Sequence, residues 1–391
     1  MIPVSVAKDL ILQHTVAERS TELLLVQARG FVLAETIYAP IDTPPFHQSA
    51  MDGYAFAFDD WDGQSPLPIN GELAAGDTSL EKLAPSTTIR IFTGATIPAD
   101  ADTVVIQEKI ILENNCILIK DEKLFKGANI RLQGSQTKQG DAVMLAGQTI
   151  NPAAISLLAS MGIERVTVYP HPTVGIIVTG NELVQPGSPL PAGKIYESNS
   201  STLVAALDQL GIKPNSLQWV SDDRLKLKES ILKNAQQDIL ILTGGISVGD
   251  YDLVAGVLSE LGATTIFHKV NMKPGKPFYF GKLNQTLIFA LPGNPAAVLT
   301  CFYLFIVPAI EQFTRHDYFK TISMPLENGY QKKQGMTYFL KGKTIDQSVL
   351  ILDDQESYKM NSFAQADCLI ELEADRDIFK KEDLVQIHMI N

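Results

Sequence analysis

Short, uninterrupted apolar runs alternate with stretches of three- and four-residue apolar spacing between residues 173 and 312. Residues 173–180 (TVGIIVTG) form a continuous β-branched run, as expected of a strand covered on both faces. Leu203, Ala206, Leu207 and Leu210 then fall on one helical stripe, and Gly211 stands where a helix stops. SLQWV (216–220), a charged helix near 222–236 and the run DILILTGG (238–245) follow. Leu253, Val254, Val257, Leu258 and Leu261 mark another helix, closed by Gly262. TTIFHKV (264–270) and QTLIFALPG (285–293) predict further strands. AAVLTCFYLFIVPAI (296–310) predicts a buried helix, too short to span a bilayer and carrying Pro308. The alternation predicts a parallel three-layer α/β sandwich over residues 173–317.

The flanks carry a different pattern. Residues 45–142 hold short β-like runs (TTIRIFTG, DTVVIQEKIILE, NCILIK) cut by Gly, Pro and Asp, which predicts a small, mostly-β insert domain. Residues 1–44 and 143–172 read as helical with short strands, forming one N-terminal domain around that insert. From residue 318 to 391 the pattern returns to short strands, a modest β module ending in DLVQIHMI.

Composition narrows the function. A chain of 391 residues exceeds one compact core. Its net charge of −12 argues against a nucleic-acid backbone as a general partner, so an anionic ligand would need a local basic pocket. Cys116, Cys301 and Cys368 lie far apart without metal-ligand spacing and read as small buried apolar residues, in keeping with a reducing compartment. Lys8 and Asp9 interrupt the N-terminal apolar run, which therefore lacks a secretory core. A cytoplasmic protein that spans no membrane is expected.

The strand ends carry the candidate chemistry, because ligands of open parallel sheets bind beyond the carboxyl ends of the strands. DILILTGGISVGDYD (238–252) empties a greasy run into Gly244, Gly245 and Gly249. The paired glycines let backbone amides approach an oxyanion, Ser247 adds a hydroxyl, and the helix start favours negative charge. Asp250 and Asp252 suit a magnesium ion that bridges to a phosphate. A glycine-rich turn with Asp250 capping the helix is the plainer alternative. KVNMKPGKPFYFG (269–281) sets Lys273 and Lys276 on either side of a Pro-Gly turn. In LPGNPAA (291–297), Pro292 and Pro295 bracket Gly293 and Asn294 ahead of a helix. VTGNELVQPG places Glu182 just past a strand, IYESNS (195–200) supplies Glu197 and Asn199, and Asp222 and Asp223 open another helix. Such loops at one sheet edge describe an anion pocket with both cations and metal-binding carboxylates.

The ordered set SAMDGYA, FTGATIP, NIRLQG, TGNEL, IYESN, TGGISVGDYD, KPGKP and LPGNP resembles the molybdenum-insertion enzymes of molybdenum cofactor synthesis, MoeA and the gephyrin E domain, over essentially the whole chain. The resemblance implies an elongated four-domain homodimer. Its α/β domain would look like molybdopterin-adenylylating proteins, and its C-terminal domain would be β-barrel-like. It implies that adenylylated molybdopterin and molybdate are taken with Mg2+, and that AMP and molybdenum cofactor are released. The cleft would lie between the α/β domain of one subunit and the insert of the other. Asp52 and Thr93 match the insert residues used there. Glu182, Asp222 or Asp223, Asp252, Lys273, Lys276, Pro292 and Pro295 match positions on the α/β side. A molybdopterin-adenylylating enzyme and molybdoenzyme apoproteins would be its partners.

The chain departs from the family pattern at Ser135 and Gln136, where Glu-Asp is usual, and at Asn181, where TGDEL is usual. The G-R-x-x-F-x-R run reads Gly335-Met336-Thr337-Tyr338-Phe339-Leu340-Lys341. Two lost charges define an alternative, a weakened paralogue that binds molybdopterin as a carrier or assembly partner. A third class, adenylylation of molybdopterin from ATP, is disfavoured because TGGIS stands where those relatives read TGGTG.

Overall fold

The structure, a computed structural model, describes residues 1–16, 19–77, 82–245 and 253–391. The chain forms two compact units. One comprises Met1–Thr21, Gly30–Val32 and Val168–Asn391, the other Glu22–Arg29 and Leu33–Thr167.

The first unit is built on a six-stranded sheet of β1 (Val174–Thr179), β2 (Ser216–Val220), β3 (Ile239–Thr243), β4 (Thr264–His268), β5 (Tyr279–Leu283) and β6 (Thr286–Leu291), in the order β2-β1-β3-β6-β5-β4. The connections carry α1 (Asn199–Gln209), α2 (Arg224–Lys233) and α3 (Leu253–Glu260), and α4 (Pro295–Cys301) follows β6. Period-two alternation sorts the side chains onto two cores. Ile176, Ile241 and Phe289, paired across the sheet, join Leu203 and Leu207 of α1 on one face. Ile177, Leu240 and Ile288 join Leu227, Ile231 and Val257 of α2 and α3 on the other. The three layers are therefore a sheet between two helical faces, and β1, β3 and β6 are buried along their whole length because neither side meets water, whereas β2 and β4 at the sheet edges keep exposed positions. Gly211 and Gly262 take positive φ just past α1 and α3, as the stop signals require.

The sheet is mixed rather than fully parallel. Residues after the Lys-Pro-Gly-Lys-Pro turn, which read as loop, form β5, antiparallel to both β6 and β4. Phe278 and Phe280 enter one core and Tyr279 the other, so the segment has two buried faces despite its short apolar run. Since β4 again runs with the parallel strands, the carboxyl ends of β1, β2, β3, β4 and β6 share one edge. The turn between β4 and β5 lies there too.

The apolar helix is longer than its sequence implied. It runs from Pro295 to Thr314, 20 residues, long and apolar enough to cross a membrane by length and composition. Val298, Phe302, Phe305, Ile306 and Ile310 are nevertheless completely buried in the core of this unit. Pro308 does not end the helix, because the backbone widens into a π turn over Phe302–Ile306 just ahead of it. The wider turn accommodates a residue with no N–H to return.

The C-terminal part carries β7 (Thr321–Pro325), β8 (Thr337–Ile345), β9 (Ser348–Ile351), β10 (Cys368–Leu372) and β11 (Leu384–Met389). β9 pairs with β8, β8 with β10, β10 with β11 and β11 with β7, all antiparallel. A bridge from Leu326 to Val349 then joins the end of β7 to β9, closing the ring as a barrel does. Leu340, Val349, Ile370, Val385 and Ile387 fill its interior. Met272–Lys273 adds to β8 as a short parallel strand, so the lysine turn is hydrogen-bonded to this β module as well as seated at the α/β edge.

The second unit holds another six-stranded sheet, in the spatial order Thr103–Ile106, Gly53–Phe56, Thr88–Ile91, Leu67–Leu73, Cys116–Ile119 and Ile110–Glu113. Phe56, Ile91, Val104 and Ile117 make its core. A helix over Pro152–Ser160 begins on Asn151, whose side chain accepts from the Ala154 N–H at 2.8 Å, with Pro152 placed where its missing donor costs nothing.

Candidate active site

A cavity of about 400 Å³ opens at the carboxyl edge of the α/β sheet. Four connections supply its wall: Thr179, Glu182 and Asn199 from the end of β1 to the start of α1, Thr243 to Gly245 at the end of β3, Pro277 in the turn between β4 and β5, and Pro292 to Asn294 after β6. Gly244 is obligatory there. Its φ is +88°, and a Cβ would sit 1.9 Å from the Thr179 carbonyl oxygen, so only glycine lets these two strand ends approach. Glu197, nearly fully buried, does not reach the cavity. It accepts from the Ser200 backbone N–H at 2.8 Å and from the Ser200 hydroxyl, and so caps α1.

The paired acids after β2 divide their work. Asp222 accepts from the Thr179 hydroxyl (2.7 Å) and from the Asn181 N–H (3.0 Å), tying the ends of β1 and β2 together. Asn181 Oδ1 in turn accepts from the Asp222 N–H at 3.1 Å, a bond that a carboxylate would make equally well. Asp223 caps α2 by accepting from the N–H groups of Leu225 and Lys226 (2.9 and 3.0 Å). Asn181 lies in the wall of a neighbouring cavity of about 250 Å³, with Gly180, Trp219 and Ser221, and not in the wall that holds Glu182.

The lysine turn is rigid at its centre. Gly275 has φ +103°, and a Cβ there would meet Cys301 Sγ at 2.7 Å. Of this turn, Pro277 lines the 400 Å³ cavity, whereas Lys273 lines a third cavity of about 530 Å³ with Tyr338 and Ser357. The Lys273 ammonium stands over the Tyr338 ring, 5.1 Å from its centroid. Lys276 is exposed and lines neither cavity. The two cavities are linked by Asn294, whose amide donates to Ser357 Oγ at 2.9 Å, while the Ala296 N–H donates to the Ser357 carbonyl at 3.1 Å. Lys341, only 3% exposed, holds the loop that carries Ser357. Its ammonium donates to the carbonyls of Asp354, Glu356 (3.3 Å) and Lys359 (3.1 Å). Pro295 occupies the first turn of α4, where its fixed φ suits a helix start.

In the second unit, Asp52 and Thr93 meet directly. Asp52 Oδ1 accepts from both the N–H and the hydroxyl of Thr93 at 2.8 Å. These bonds hold the Asp52 carboxyl below the usual carboxylate range. Both residues are exposed, as is Gln136. Cys301 and Cys368 are buried and Cys116 half-buried, and burial pushes the first two thiols far up, away from the reactive thiolate.

Ser247, Gly249, Asp250 and Asp252 lie outside the described residues. Among the described residues no group of three carboxylates, histidines or cysteines forms a metal cage. Four contributors had not been singled out from sequence. Thr179 and Thr243 both precede the glycine of a strand-end TG pair, which was the available signal. Ser357 and Lys341 belong to the β module; Ser357 gave none, and Lys341 had been noted only as the lysine at the second arginine of the G-R-x-x-F-x-R run.

Three family models match in order. Residues 2–162 match the MoeA N-terminal region (domain I and II), 175–312 a probable molybdopterin binding domain, and 323–390 the MoeA C-terminal region (domain IV). Across its whole length the chain is 33% identical to the molybdopterin molybdenumtransferase of Haemophilus influenzae, of which it covers 99%. The chain belongs to the MoeA family. The protein of the same name from Staphylococcus aureus is 32% identical over 99% of this chain and 95% of its own. A crystal structure of the molybdopterin biosynthesis MoeA protein from Pyrococcus horikoshii superimposes with a TM-score of 0.84 at 28% identity, covering 100% of this chain and 99% of that one. MoeA membership places the 400 Å³ cavity inside the segment matched by the probable molybdopterin binding domain.

Proposed function

We propose that this chain is a molybdopterin molybdenumtransferase. It takes adenylylated molybdopterin and molybdate as substrates and releases AMP and molybdenum cofactor. The observation that carries this reading is the convergence of four strand-end connections on one cavity in a full-length member of the MoeA family. A pyrophosphate-linked substrate needs close backbone amides, which Gly244 and Gly245 offer, and a rigid rim, which Pro292 and Asn294 offer. Lys273, beside Ser357 in the adjoining cavity, supplies the positive charge that an oxyanion such as molybdate requires. The substrate's own sulfurs suit molybdenum, so the scattered cysteines need not ligate it.

Magnesium is ordinarily held by one or two carboxylates together with substrate phosphate oxygens, so a three-carboxylate cage is not required. Glu182 in the cavity wall suits it, with Asp250 and Asp252 as the further candidates from sequence. When bound, the ion would neutralise charge on the phosphate oxygens as the anhydride breaks. We propose in addition that the enzyme works as a cytoplasmic homodimer, in which Asp52 and Thr93 of the insert serve the cavity of the other subunit.

The test is to incubate the purified protein with adenylylated molybdopterin, molybdate and magnesium and to follow AMP release. Release above background supports the reading, and none, beside an active relative, rejects it. The carrier alternative rests on the charges missing at Gln136 and Asn181. Asn181 keeps the bond to the Asp222 N–H and stands outside the wall that contains Glu182, which favours retained turnover. A Gln136→Asp, Asn181→Asp double variant that turns over much faster than wild type would favour the carrier instead.

A further inference from the structure

Asn199 is 9% exposed and lines the cavity, yet its side-chain oxygen is an unmatched buried acceptor. The orientation of the amide follows from its neighbours. Nδ2 donates to the Gly293 carbonyl at 2.9 Å, and a carbonyl can only accept. Nδ2 also donates to Thr243 Oγ1 at 3.0 Å, and that hydroxyl passes its own hydrogen to the Pro292 carbonyl at 3.4 Å. Both amide hydrogens are thereby used on the protein, and turning the group over would set oxygen against oxygen. Oδ1 is left, and among the described residues no donor reaches it.

A local structural duty does not account for this oxygen. Glu197 already caps α1 through Ser200, and no side-chain cap comes from Ser198. Holding the ends of β3 and β6 together needs only the NH2 group. A buried acceptor without a donor costs stability comparable to a lost hydrogen bond, so its retention in the cavity wall that also holds Gly244 and Gly245 points to the ligand.

We infer that Asn199 Oδ1 accepts an N–H or O–H hydrogen from the molecule bound in this cavity, and so selects ligands that carry such a donor. The inference rests on the proposed function for its choice of ligand. Both halves of an adenylylated pterin carry such donors: the adenine amine and ribose hydroxyls on one side, the pterin amine on the other. Analogues that lack the donor leave Oδ1 buried and unpaired in the complex, which is how sites of this kind discriminate.

Calorimetric titration of the full-length protein tests this in two arms. The nucleotide arm compares AMP with inosine monophosphate, 2′-deoxy-AMP and 3′-deoxy-AMP. The pterin arm compares pterin-6-carboxylate with lumazine-6-carboxylate, which has an oxygen in place of the amine. One donor-deleted analogue should bind roughly 10- to 100-fold more weakly than its parent, and the arm in which it falls names the half that occupies the site. Asn199→Leu should bind parent and analogue alike. Equal affinities throughout both arms, no binding in either, or discrimination that survives Asn199→Leu would each overturn the inference. Should the leucine variant not fold, Asn199→Ser and the wild-type series still decide. AMP release with undiscriminating binding removes only the role of Asn199, whereas absent release removes the functional reading itself.

Discussion

The Thr179 hydroxyl donates to Asp222 Oδ1 at 2.7 Å across the carboxyl ends of β1 and β2. The same carboxylate receives the Asn181 N–H, so one side chain fixes the exit of β1 from which Glu182 projects. Asp222→Ala should therefore lower stability by about 1–3 kcal/mol in urea denaturation. It should also speed hydrogen exchange over residues 180–184. Asp223→Ala should cost only about 1 kcal/mol, as a lost helix cap does, and leave exchange there unchanged.

Asp52→Ala should abolish AMP release while shifting the melting temperature little, because the carboxylate is exposed and, among the described residues, accepts hydrogen bonds only from Thr93. A large drop in melting temperature would make Asp52 structural instead.

The acid range offers a check on the same pair. The Asp52 pKa is depressed from its usual 3.8, so the stabilisation it contributes is complete at neutral pH and fades as the pH falls through the depressed value. Replacing Thr93 with Val removes the hydroxyl donor. In an NMR titration of the Asp52 carboxyl, the midpoint should then move upward, towards the ordinary value.

Gly244→Ala should be severely destabilising, since the positive φ alone costs on the order of 1–3 kcal/mol and the added methyl collides with the Thr179 carbonyl. Gly293→Ala is the control. Its φ lies outside the left-handed region and an added Cβ would meet nothing within 4 Å, so denaturation should change by less than about 1 kcal/mol.

Lys341→Met should lower stability by about 2–3 kcal/mol, because the charged hydrogen bonds from this buried lysine to three carbonyls are lost together. Faster exchange over residues 354–359 would show that the loop carrying Ser357 has been released. Lys341→Arg should restore much of the protection.

Much of the α/β sandwich was legible because a strand buried on both faces leaves a continuous apolar run, and because Gly211 and Gly262 stand where left-handed stops are needed. The strand-end loops around Glu182, Asn199, Gly244 and Pro292 could be read for the same reason, since parallel topology forces them to one edge. β5 was hidden by its brevity and by the turn residues ahead of it. The full length of the apolar helix was hidden by Pro308, whose disruption the π turn absorbs. Lys341 stood at the second arginine of the family run, but its grip on the Ser357 loop was hidden, because a lysine in a strand pattern reads as a solvent-facing residue and its partners are backbone carbonyls. Asp222 and Asp223 looked equivalent in sequence, and only their separate hydrogen-bond partners tell them apart.

The parallel pairing of Met272–Lys273 with Thr337–Tyr338 makes the rear β module a load-sharing abutment for the lysine turn. A truncated chain ending near residue 318 would strip that turn of its neighbouring strand and would also take Phe339, Leu369 and Ile390 out of the core they share with the sandwich. Excising the tail should therefore blunt anion capture and loosen the sandwich together, so trimming this protein has to spare the far end of the polypeptide.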